Sequence, residues 1–550
     1  MRPRAPRFTV ADVTAAQQEH EDVDAVVIGA GFAGLYMLHR LRESGMSVVV
    51  LEAGDGIGGT WFWNRYPGAR CDSESSYYSY SFSDELQQEW EWTERYPRQP
   101  EILAYLNHVA DRFDLRRDIR LGRRVTAATF DDGGDRWEVL TDTGERWSAP
   151  FLVTAVGCLS SANIPKIPGL DAFDGEWFHT GMWPHEGVSF AGKRVGVVGT
   201  GSTGIQAIPV IAAEADHLTV FQRTANYSIP ARNGPLAPAE QAEVKRNYDA
   251  IRDLQRSTTN GHPYRISERT ALSVTDDERD AIYAAAWERG GLRFRASFAD
   301  LLTDADANET ASEFIRARIA ETVQDAGVAE MLTPRDHPFA TKRPPIDTHY
   351  FETYNRDDVT LVDVKASPIE EVTPTGMRTA AGHHELDTIV FATGFDAMTG
   401  PLLGIDFRGT GGATLRDAWA EGPKSYLGLQ VAGFPNLFTI TGPGSPSVLT
   451  NMPTSIEQHV DWITGCIAHL REQGVRRIEA VPEAQEAWVA HTNEVAAATL
   501  LPRAGSSWYL GANVPGKPRV FMPYAGGFAA YTRRCDEVAA AGYEGFALSR

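Results

Sequence analysis

The sequence predicts an α/β protein built from two Rossmann-like dinucleotide-binding domains, with a helical insertion in the second. Two observations indicate the domains: a buried strand, a glycine-rich turn and a helix follow one another at 24–45, and the same order returns at 195–212. A third observation indicates the insertion, because residues 236–334 are charged, have helical periodicity and lack a glycine fingerprint.

Composition limits the class of protein. With 550 residues the chain is too long for one ordinary core, and 43% hydrophobic with 23% charged residues is typical of soluble globular proteins. The net charge of −21 argues against nucleic acid or an anionic membrane as a partner, because either would be repelled. A cofactor phosphate must therefore be bound by local basic residues and helix ends.

The cysteines and the amino terminus bear on the cellular compartment. The four cysteines are scattered and form no C-x-x-C pair, which argues against a redox-active dithiol or a metal site and indicates a reducing compartment. The first ten residues lack the apolar run of a signal peptide, and no stretch reaches the about 18 apolar residues that a membrane span needs. We therefore expect a cytoplasmic protein without a membrane partner. For the assembly we expect a monomer.

The first glycine-rich unit is complete. A strand at Asp24–Ile28 runs into G-A-G-F-A-G, a helix follows, and a second strand at Ser47–Leu51 ends at Glu52. One glycine allows the tight turn, one lets the backbone approach a pyrophosphate and one packs the helix against the strand. These three glycines are Gly29, Gly31 and Gly34. Glu52 stands where a carboxylate accepts hydrogen bonds from ribose hydroxyls, so this site suits FAD.

The second unit repeats the pattern with a different ending. Its strand Val195–Val198 leads into G-T-G-S-T-G, whose fingerprint glycines are Gly199, Gly201 and Gly204. The strand His217–Phe221 is followed by Gln222, Arg223 and Thr224 in place of an acid. A carboxylate there would repel the 2′-phosphate of NADP, whereas an arginine can bind it, so this site suits NADPH.

The order of these elements predicts domains that are each split in two along the chain. The FAD domain would comprise 20–150 and 386–550, the NADP domain 151–235 and 335–385, and the insertion 236–334, with helices such as Asp276–Glu288 and Ala311–Gln324. Strands are predicted at Val359–Val364, Leu386–Phe391 and Asn436–Ile440, and a helix from about Thr454. Asp396, which ends the stretch A-T-G-F-D, is predicted to contact a cofactor.

Two further stretches carry sequence signatures. F-D-G-E-W-F-H-T-G-M-W-P at Phe173–Pro184 matches F-x-G-x-x-x-H-T-x-x-W-P, and G-G-T-W-F-W-N-R-Y-P-G-A-R-C-D at Gly58–Asp72 matches G-G-x-W-x-x-x-x-Y-P-G-x-x-x-D. In both, the chain resembles the Baeyer–Villiger flavoprotein monooxygenases, and the resemblance extends from about Asp24 to the carboxyl terminus. The first signature lies between the two nucleotide domains, so we expect a structural or domain-coupling role for His179 rather than a catalytic one.

The resemblance implies the positions of several cofactor contacts. The segment Gly58–Asp72 would run along the flavin, with Asp72 in the active site. The residues implied to touch FAD are Thr60, Trp61, Tyr78 and the backbone of Val125.

The stretch Thr341-Lys342-Arg343 resembles the family segment that carries the active-site arginine. The implied reaction converts a ketone (cyclic, aryl or steroid-like), dioxygen and NADPH to an ester or lactone through a flavin peroxide anion. An arginine that stays protonated would stabilise that anion and the charge developing on the carbonyl oxygen. Asp72 would hold Arg343 in place, and Lys342 would contact the NADPH phosphate.

The carboxyl-terminal stretch Ser506–Gly516 also resembles the family. Its tryptophan, Trp508, would lie on a loop that closes over the nicotinamide and the substrate, which protects the reaction from water. Within the family, the chain is most similar to the phenylacetone and steroid monooxygenases.

Three alternatives remain at this point. A flavin-dependent N-hydroxylase or sulfur-oxidising monooxygenase would share both nucleotide sites but has no evident need for Arg343. A two-dinucleotide disulfide reductase is disfavoured by the missing C-x-x-C pair. A flavin-holding interaction or sensor protein would bind the cofactor without turnover.

Overall fold

A computed structural model describes residues 21–550 of the chain. The segment 1–20, on which the expectation of no signal peptide depends and which includes the first residue of the predicted 20–150 unit, lies outside the described residues. In the described part, no helix is both long and apolar enough to cross a membrane. The α-helices are Phe32–Glu43, Thr60–Trp63, Asp84–Glu89, Gln99–Arg112, Ser202–Ala212, Pro238–Arg246, Tyr248–Ser257, Asp276–Arg289, Ala305–Thr322, Ala326–Leu332, Tyr350–Thr353, Gly400–Leu403, Leu415–Ala418, Met452–Gln473, Pro482–Ala497 and Phe528–Ala540.

The first parallel sheet has five strands. Every residue of its strands Ala25–Ile28, Val48–Leu51 and Phe151–Thr154 is buried, because helices or other layers cover both faces, as is usual for parallel sheets. In spatial order the strands are Leu437–Thr439, Phe151–Thr154, Ala25–Ile28, Val48–Leu51 and Ile119–Arg120. The helix Phe32–Glu43 packs against Met452–Gln473 beside this sheet and buries Leu35, Leu38 and Leu41.

The second parallel sheet has the same construction. Its central strand Arg194–Val198 pairs in register with His217–Gln222 on one side and Thr388–Phe391 on the other. In spatial order the strands are Val359–Asp363, His217–Gln222, Arg194–Val198, Thr388–Phe391 and Glu176–His179. The edge strand therefore comes from the first sequence signature, which places His179 at its carboxyl end.

The remaining strands form one mixed sheet and three small ones. The mixed sheet has the order Glu21–Asp22, Arg146–Ala149, Arg136–Thr141, Val125–Asp131 and Asp406–Arg408. The small sheets pair Ile229–Pro230 with Ile346–Asp347, then Ile369–Thr373, Gly376–Thr379 and Gly382–Glu385, and finally Arg477–Ala480 with Phe546–Ser549. Sheets and helices together confirm the predicted mixed α/β class.

The predicted strands and the helix predicted at Asp276–Glu288 are confirmed within two residues at each end. The helix predicted at Ala311–Gln324 begins earlier, at Ala305, because Asp304 caps it by accepting hydrogen bonds from the amides of Asp306 and Ala307. Likewise the helix predicted from Thr454 begins at Met452, with Asn451 as its cap. The segment 236–334 is mainly helical, as expected, with five α-helices between Pro238 and Leu332.

Candidate active site

The first glycine-rich turn lies at the carboxyl end of the first sheet. Gly29 has a φ of +103°, and a Cβ there would lie 2.6 Å from the carbonyl oxygen of Ala155. A Cβ on Gly34 would lie 1.8 Å from the carbonyl oxygen of Gly29, so the helix approaches the strand too closely for any other residue. Gly31 faces Gly59, and a Cβ on Gly31 would lie 3.3 Å from the Gly59 Cα. The turn is thus a backbone-lined cradle.

Glu52 is buried beside this turn. One carboxylate oxygen accepts the amide of Ala30 at 2.7 Å and the other accepts the amide of Gly54 at 2.8 Å. Burial raises the pKa of Glu52, and the two amide hydrogen bonds act in the opposite direction. The carboxylate is fixed at the end of its strand, and its remaining lone pairs can accept hydroxyl hydrogens.

The second glycine-rich turn has the same geometry. Gly199 has a φ of +109°, and a Cβ there would lie 2.5 Å from the Ala392 carbonyl oxygen. A Cβ on Gly204 would lie 2.1 Å from the Gly199 carbonyl oxygen, whereas a Cβ on Gly201 would meet no atom within 4 Å. The backbone at Gly201 therefore faces open space, which an approaching ligand can enter.

The three residues at the end of the strand His217–Gln222 and just after it have different environments. Gln222 is buried and donates its amide hydrogen to the Met331 carbonyl at 2.7 Å. The carbonyl of Thr224 accepts the hydroxyl of Thr200 at 3.0 Å. Arg223 is exposed, and its guanidinium makes no ion pair or hydrogen bond with any described residue.

Lys342 lies close enough to Arg223 for the two charges to interact. Burial lowers the pKa of Lys342, the nearby Asp336 raises it, and the positive charge of Arg223 lowers it further. Two cations that repel each other at one place are a suitable environment for a phosphate group. The chain brings them together although they are distant in sequence.

Arg343 and Asp72 form a bidentate ion pair. The guanidinium Nε donates to Asp72 Oδ2 at 2.5 Å, Nη2 donates to Oδ1 at 2.8 Å, and Nη1 donates to the Val448 carbonyl at 3.0 Å. Burial alone would raise the pKa of Asp72, but the charge and hydrogen bonds of Arg343 outweigh it and lower the pKa. The pair is therefore fully ionised at neutral pH.

The other predicted FAD contacts are divided between two places. Trp61 Nε1 donates to the Tyr78 hydroxyl at 3.2 Å, and the two rings meet edge to face 5.9 Å apart. Thr60 is exposed at the start of the same short helix. Val125, in contrast, is a buried residue at the start of a strand in the mixed sheet.

His179 is buried and has no carboxylate partner among the described residues. Its Nδ1 accepts the backbone amide of Gly181 at 3.1 Å, and its ring meets Phe395 edge to face at 6.1 Å. Burial lowers the pKa of His179 to about 4. The imidazole is therefore neutral at physiological pH and lies against backbone groups, and its structural or domain-coupling role stays a prediction.

The carboxyl-terminal loop is fastened to the stretch that contains Asp396. Lys517 Nζ donates to Asp396 Oδ1 at 2.5 Å and to the Ala397 carbonyl at 2.6 Å. Trp508 is half-buried, and its ring contacts that of Tyr509 edge to face with the ring centroids 4.5 Å apart. The sequence had suggested Asp396 only as a cofactor contact, and its link to Lys517 was missed.

A small cavity lies beside Arg343. The helical insertion supplies one wall of it, and sequence reasoning assigned no site residue to this insertion. The lining residues are Asn260, His262, Tyr264, Leu292, Arg295, Ala340, Arg343, Pro344, Val448, Leu449 and Tyr509. No spacing pattern marks these insertion residues, because only the folded chain brings them to Arg343.

His262 connects this wall to the loop of Asp72. Its Nδ1 lies 2.8 Å from the Asn260 carbonyl, which can only accept, so Nδ1 carries the hydrogen. Its Nε2 then accepts the hydroxyl of Ser73 at 3.1 Å. Burial, followed by the charge of Arg343, lowers the pKa of His262 to about 4, so the ring is neutral.

The cysteines form no disulfide with one another in the described part of the chain. All four cysteines are buried and unpaired. Burial raises the pKa of Cys158 to about 11, so its thiol stays protonated at neutral pH. Within residues 21–550, no group of three or more His, Cys, Asp or Glu side chains is placed to hold a metal ion.

Comparison with known proteins places these features in a family. Residues 26–282 match the family described as pyridine nucleotide-disulphide oxidoreductase. The chain is 47% identical to a Baeyer-Villiger monooxygenase of Pseudooceanicola batsensis, over 95% of each chain. It is 45% identical to a phenazine N-monooxygenase of Lysobacter antibioticus, over 96% of this chain and 97% of that relative.

The solved structures give the same result. An oxidized steroid monooxygenase bound to NADP is 54% identical, superposes with a TM-score of 0.92, and is matched over 96% of this chain and 99% of its own. The two sequence signatures at Phe173–Pro184 and Gly58–Asp72 predicted this relationship. With such similarity along nearly its whole length, the chain belongs to the Baeyer–Villiger flavoprotein monooxygenases.

Proposed function

We propose that the protein is an FAD-containing, NADPH-dependent monooxygenase that inserts one oxygen atom from dioxygen beside the carbonyl of a ketone. The observation that carries this proposal is the ionised Arg343–Asp72 pair at the edge of a cavity. The products are an ester or a lactone, and the substrate is a cyclic, aryl or steroid-like ketone. We further propose that the enzyme is cytoplasmic and monomeric.

The two glycine turns fit two dinucleotides. In each turn a Cβ added at the first or third fingerprint glycine would collide with a backbone carbonyl oxygen, and the middle glycine keeps the peptide amides accessible to a ligand. We assign FAD to the turn at Gly29, Gly31 and Gly34 with Glu52 on its ribose, and NADPH to the turn at Gly199, Gly201 and Gly204. The Rossmann-like FAD domain then comprises 20–150 and 386–550, the NADP domain 151–235 and 335–385, and the helical insertion 236–334.

Two cations give the second site its preference for the phosphorylated coenzyme. Arg223 is exposed and unpaired among the described residues, and its charge acts on Lys342. We propose that both bind the 2′-phosphate, with Gln222 and Thr224 along the same ribose. An acid such as Glu52 at this position would repel the phosphate.

The flavin contacts follow from the residues around the first turn. Thr60, Trp61, Tyr78 and the backbone of Val125 are proposed to hold FAD, and the Trp61–Tyr78 hydrogen bond orients both rings. Bound FAD, once reduced by NADPH, supplies the activation of dioxygen. Asp396 contributes to the cofactor region by anchoring Lys517 of the carboxyl-terminal loop.

Arg343 is the proposed catalytic cation. A guanidinium remains protonated at any physiological pH, so it stabilises negative charge developing on the carbonyl oxygen of the ketone without giving up a proton. Asp72 fixes the plane of the guanidinium through two hydrogen bonds, and the Val448 carbonyl binds a third N–H group. Trp508, on the loop that Lys517 anchors, would close over substrate and exclude water.

Oxidation at nitrogen or sulfur is the alternative. It has one specific observation in its favour, the 45% identity to a relative named as a phenazine N-monooxygenase. A ketone panel and an amine panel, incubated with holoenzyme and NADPH, would separate the two by product mass. Ester or lactone formation is the expected result, and N-oxide formation without any ester would contradict the proposal.

A further inference from the structure

The cavity beside Arg343 contains a second arginine. Arg295 belongs to the short helical segment Gly291–Ser297 of the insertion and lines the cavity together with Arg343. Its guanidinium makes no ion pair and no hydrogen bond with any residue in the described range 21–550. Arg343, in contrast, is neutralised by Asp72.

The groups that face Arg295 do not compensate its charge. Burial raises the pKa of Tyr264 and of Tyr509 to about 12, so both hydroxyls are uncharged at neutral pH. His262, on the same wall, is neutral, and Arg343 repels Arg295. Since the charges of Asp72 and Arg343 cancel, the cavity keeps one net positive charge.

Glu74, an acid near this segment, pairs with two arginines other than Arg295. Arg293 pairs with Glu74 Oε1 at 3.3 Å, and its guanidinium lies 4.8 Å from the centroid of the Tyr264 ring. The same Glu74 oxygen accepts from Arg95 at 2.8 Å. The acid is thus shared by two other arginines. A half-buried cation without a counter-ion is electrostatically unfavourable, and an anionic ligand in the cavity would remove that cost.

We propose that Arg295 is an anion subsite of the ketone pocket, and that the enzyme acts on oxo carboxylates. Arg343 would face the reacting carbonyl while Arg295 binds the carboxylate of the same molecule through charge-assisted hydrogen bonds. This inference rests on the proposed function, because it takes a ketone as the substrate. The net charge of −21 repels acidic molecules in general, so their recognition requires a local cation of this kind.

The test compares an acid with its uncharged ester. The probes are 4-oxocyclohexanecarboxylate and its methyl ester, turned over by the holoenzyme. Arg295→Met should lower kcat/KM for the acid about tenfold or more and change that for the ester by less than about threefold, because only the acid loses a charge-assisted contact. Arg295→Lys, which keeps the charge, should retain part of the preference. Arg265→Met removes an exposed charge of the same insertion outside the cavity lining, and should leave both values unchanged.

A second readout does not depend on turnover. Cyclohexanecarboxylate has no ketone, and calorimetric titration of the holoenzyme should show it binding to the wild type and to Arg265→Met. Its Kd should rise about tenfold or more in Arg295→Met. Equal losses for acid and ester, or a raised KM for NADPH alone, would overturn the subsite.

The two proposals fail in different ways. If the ester is oxidised but carboxylate binding does not depend on Arg295, the subsite is wrong and the proposed function stands. If neither probe is oxidised while cyclohexanecarboxylate still binds through Arg295, the proposed function and the action on oxo carboxylates are wrong, and only the binding of a carboxylate by Arg295 stands.

Discussion

Replacing Arg343 by alanine separates oxygenation from reduction of the flavin. In the proposed mechanism the guanidinium stabilises negative charge in the oxygenation steps, and reduction of the flavin by NADPH does not depend on that role. Neither glycine turn includes this side chain, so we expect Arg343→Ala to retain FAD and to be reduced by NADPH. We expect essentially no ester or lactone.

The magnitude follows from what the guanidinium does at the site. Removing one preorganised donor costs about 3–4 kcal/mol in the transition state, or a hundred- to a thousandfold in rate. The variant also loses two hydrogen bonds to Asp72 and one to Val448. The side chain of Asp72 is 24% exposed, so leaving it unpaired should lower the free energy of unfolding by about 1–3 kcal/mol.

The assay follows NADPH, dioxygen, hydrogen peroxide and ester in the same reaction. In Arg343→Ala, the oxygen consumed should be recovered as hydrogen peroxide. Arg343→Lys should recover little ester formation, because an ammonium lacks the planar pair of donors that meets both oxygens of Asp72. Formation of ester at near wild-type rate by Arg343→Ala would refute the assignment.

A double variant separates stability from catalysis. Adding Asp72→Asn to Arg343→Ala removes the unpaired carboxylate, so the free energy of unfolding should recover in part. Ester formation should not recover. If it returned together with stability, the defect of Arg343→Ala would be one of folding and not of chemistry.

Three further predictions concern the coenzyme, the pH dependence and the first signature. Arg223→Ala should raise KM for NADPH about ten- to a hundredfold and leave KM for NADH nearly unchanged, and equal effects would remove the phosphate assignment of Arg223 and Lys342. Because Arg343 lowers the pKa of Asp72 below its ordinary value of 3.8, the pair stabilises the fold above that pH and loses this contribution as pH falls through the lower folded-state pKa. Urea unfolding from neutral to acidic pH should therefore show a weaker acid dependence for Asp72→Asn than for the wild type. His179→Ala should slow turnover without loss of FAD, as measured by stopped-flow absorbance, and damage confined to proton transfer would argue for a catalytic His179 instead.

The glycine turns were predictable because part of what they require, the backbone conformation and the approach of each helix to its own turn, acts between residues close in sequence. Gly29 and Gly199 each follow a buried strand, and the backbone conformation and close approach at both positions exclude a side chain. Such requirements act between residues near in sequence or in adjacent strands, so a short pattern records them. The signature Gly58–Asp72 was recognisable for a different reason, since its fixed spacing identifies a family.

Other parts of the site left no pattern in the sequence. The segment 236–334 was predicted to be helical from its periodicity, but periodicity does not indicate which loop residues turn toward Arg343. His262 and Arg295 lie in such loops, and the salt bridge between Lys517 and Asp396 spans two distant segments.

The sequence by itself determined the mixed α/β class, the two glycine cradles and the family, since the apolar runs of the strands and the spacing of the glycines and motifs are present in short stretches of sequence. Only the tertiary structure decided which charges meet. It pairs Asp72 with Arg343 and brings Arg223 near Lys342. It also places Arg295 in the cavity with no counter-ion among the described residues. The physical reason is that charge interactions fall off with distance in space, and the folding of the chain sets that distance independently of separation along the sequence.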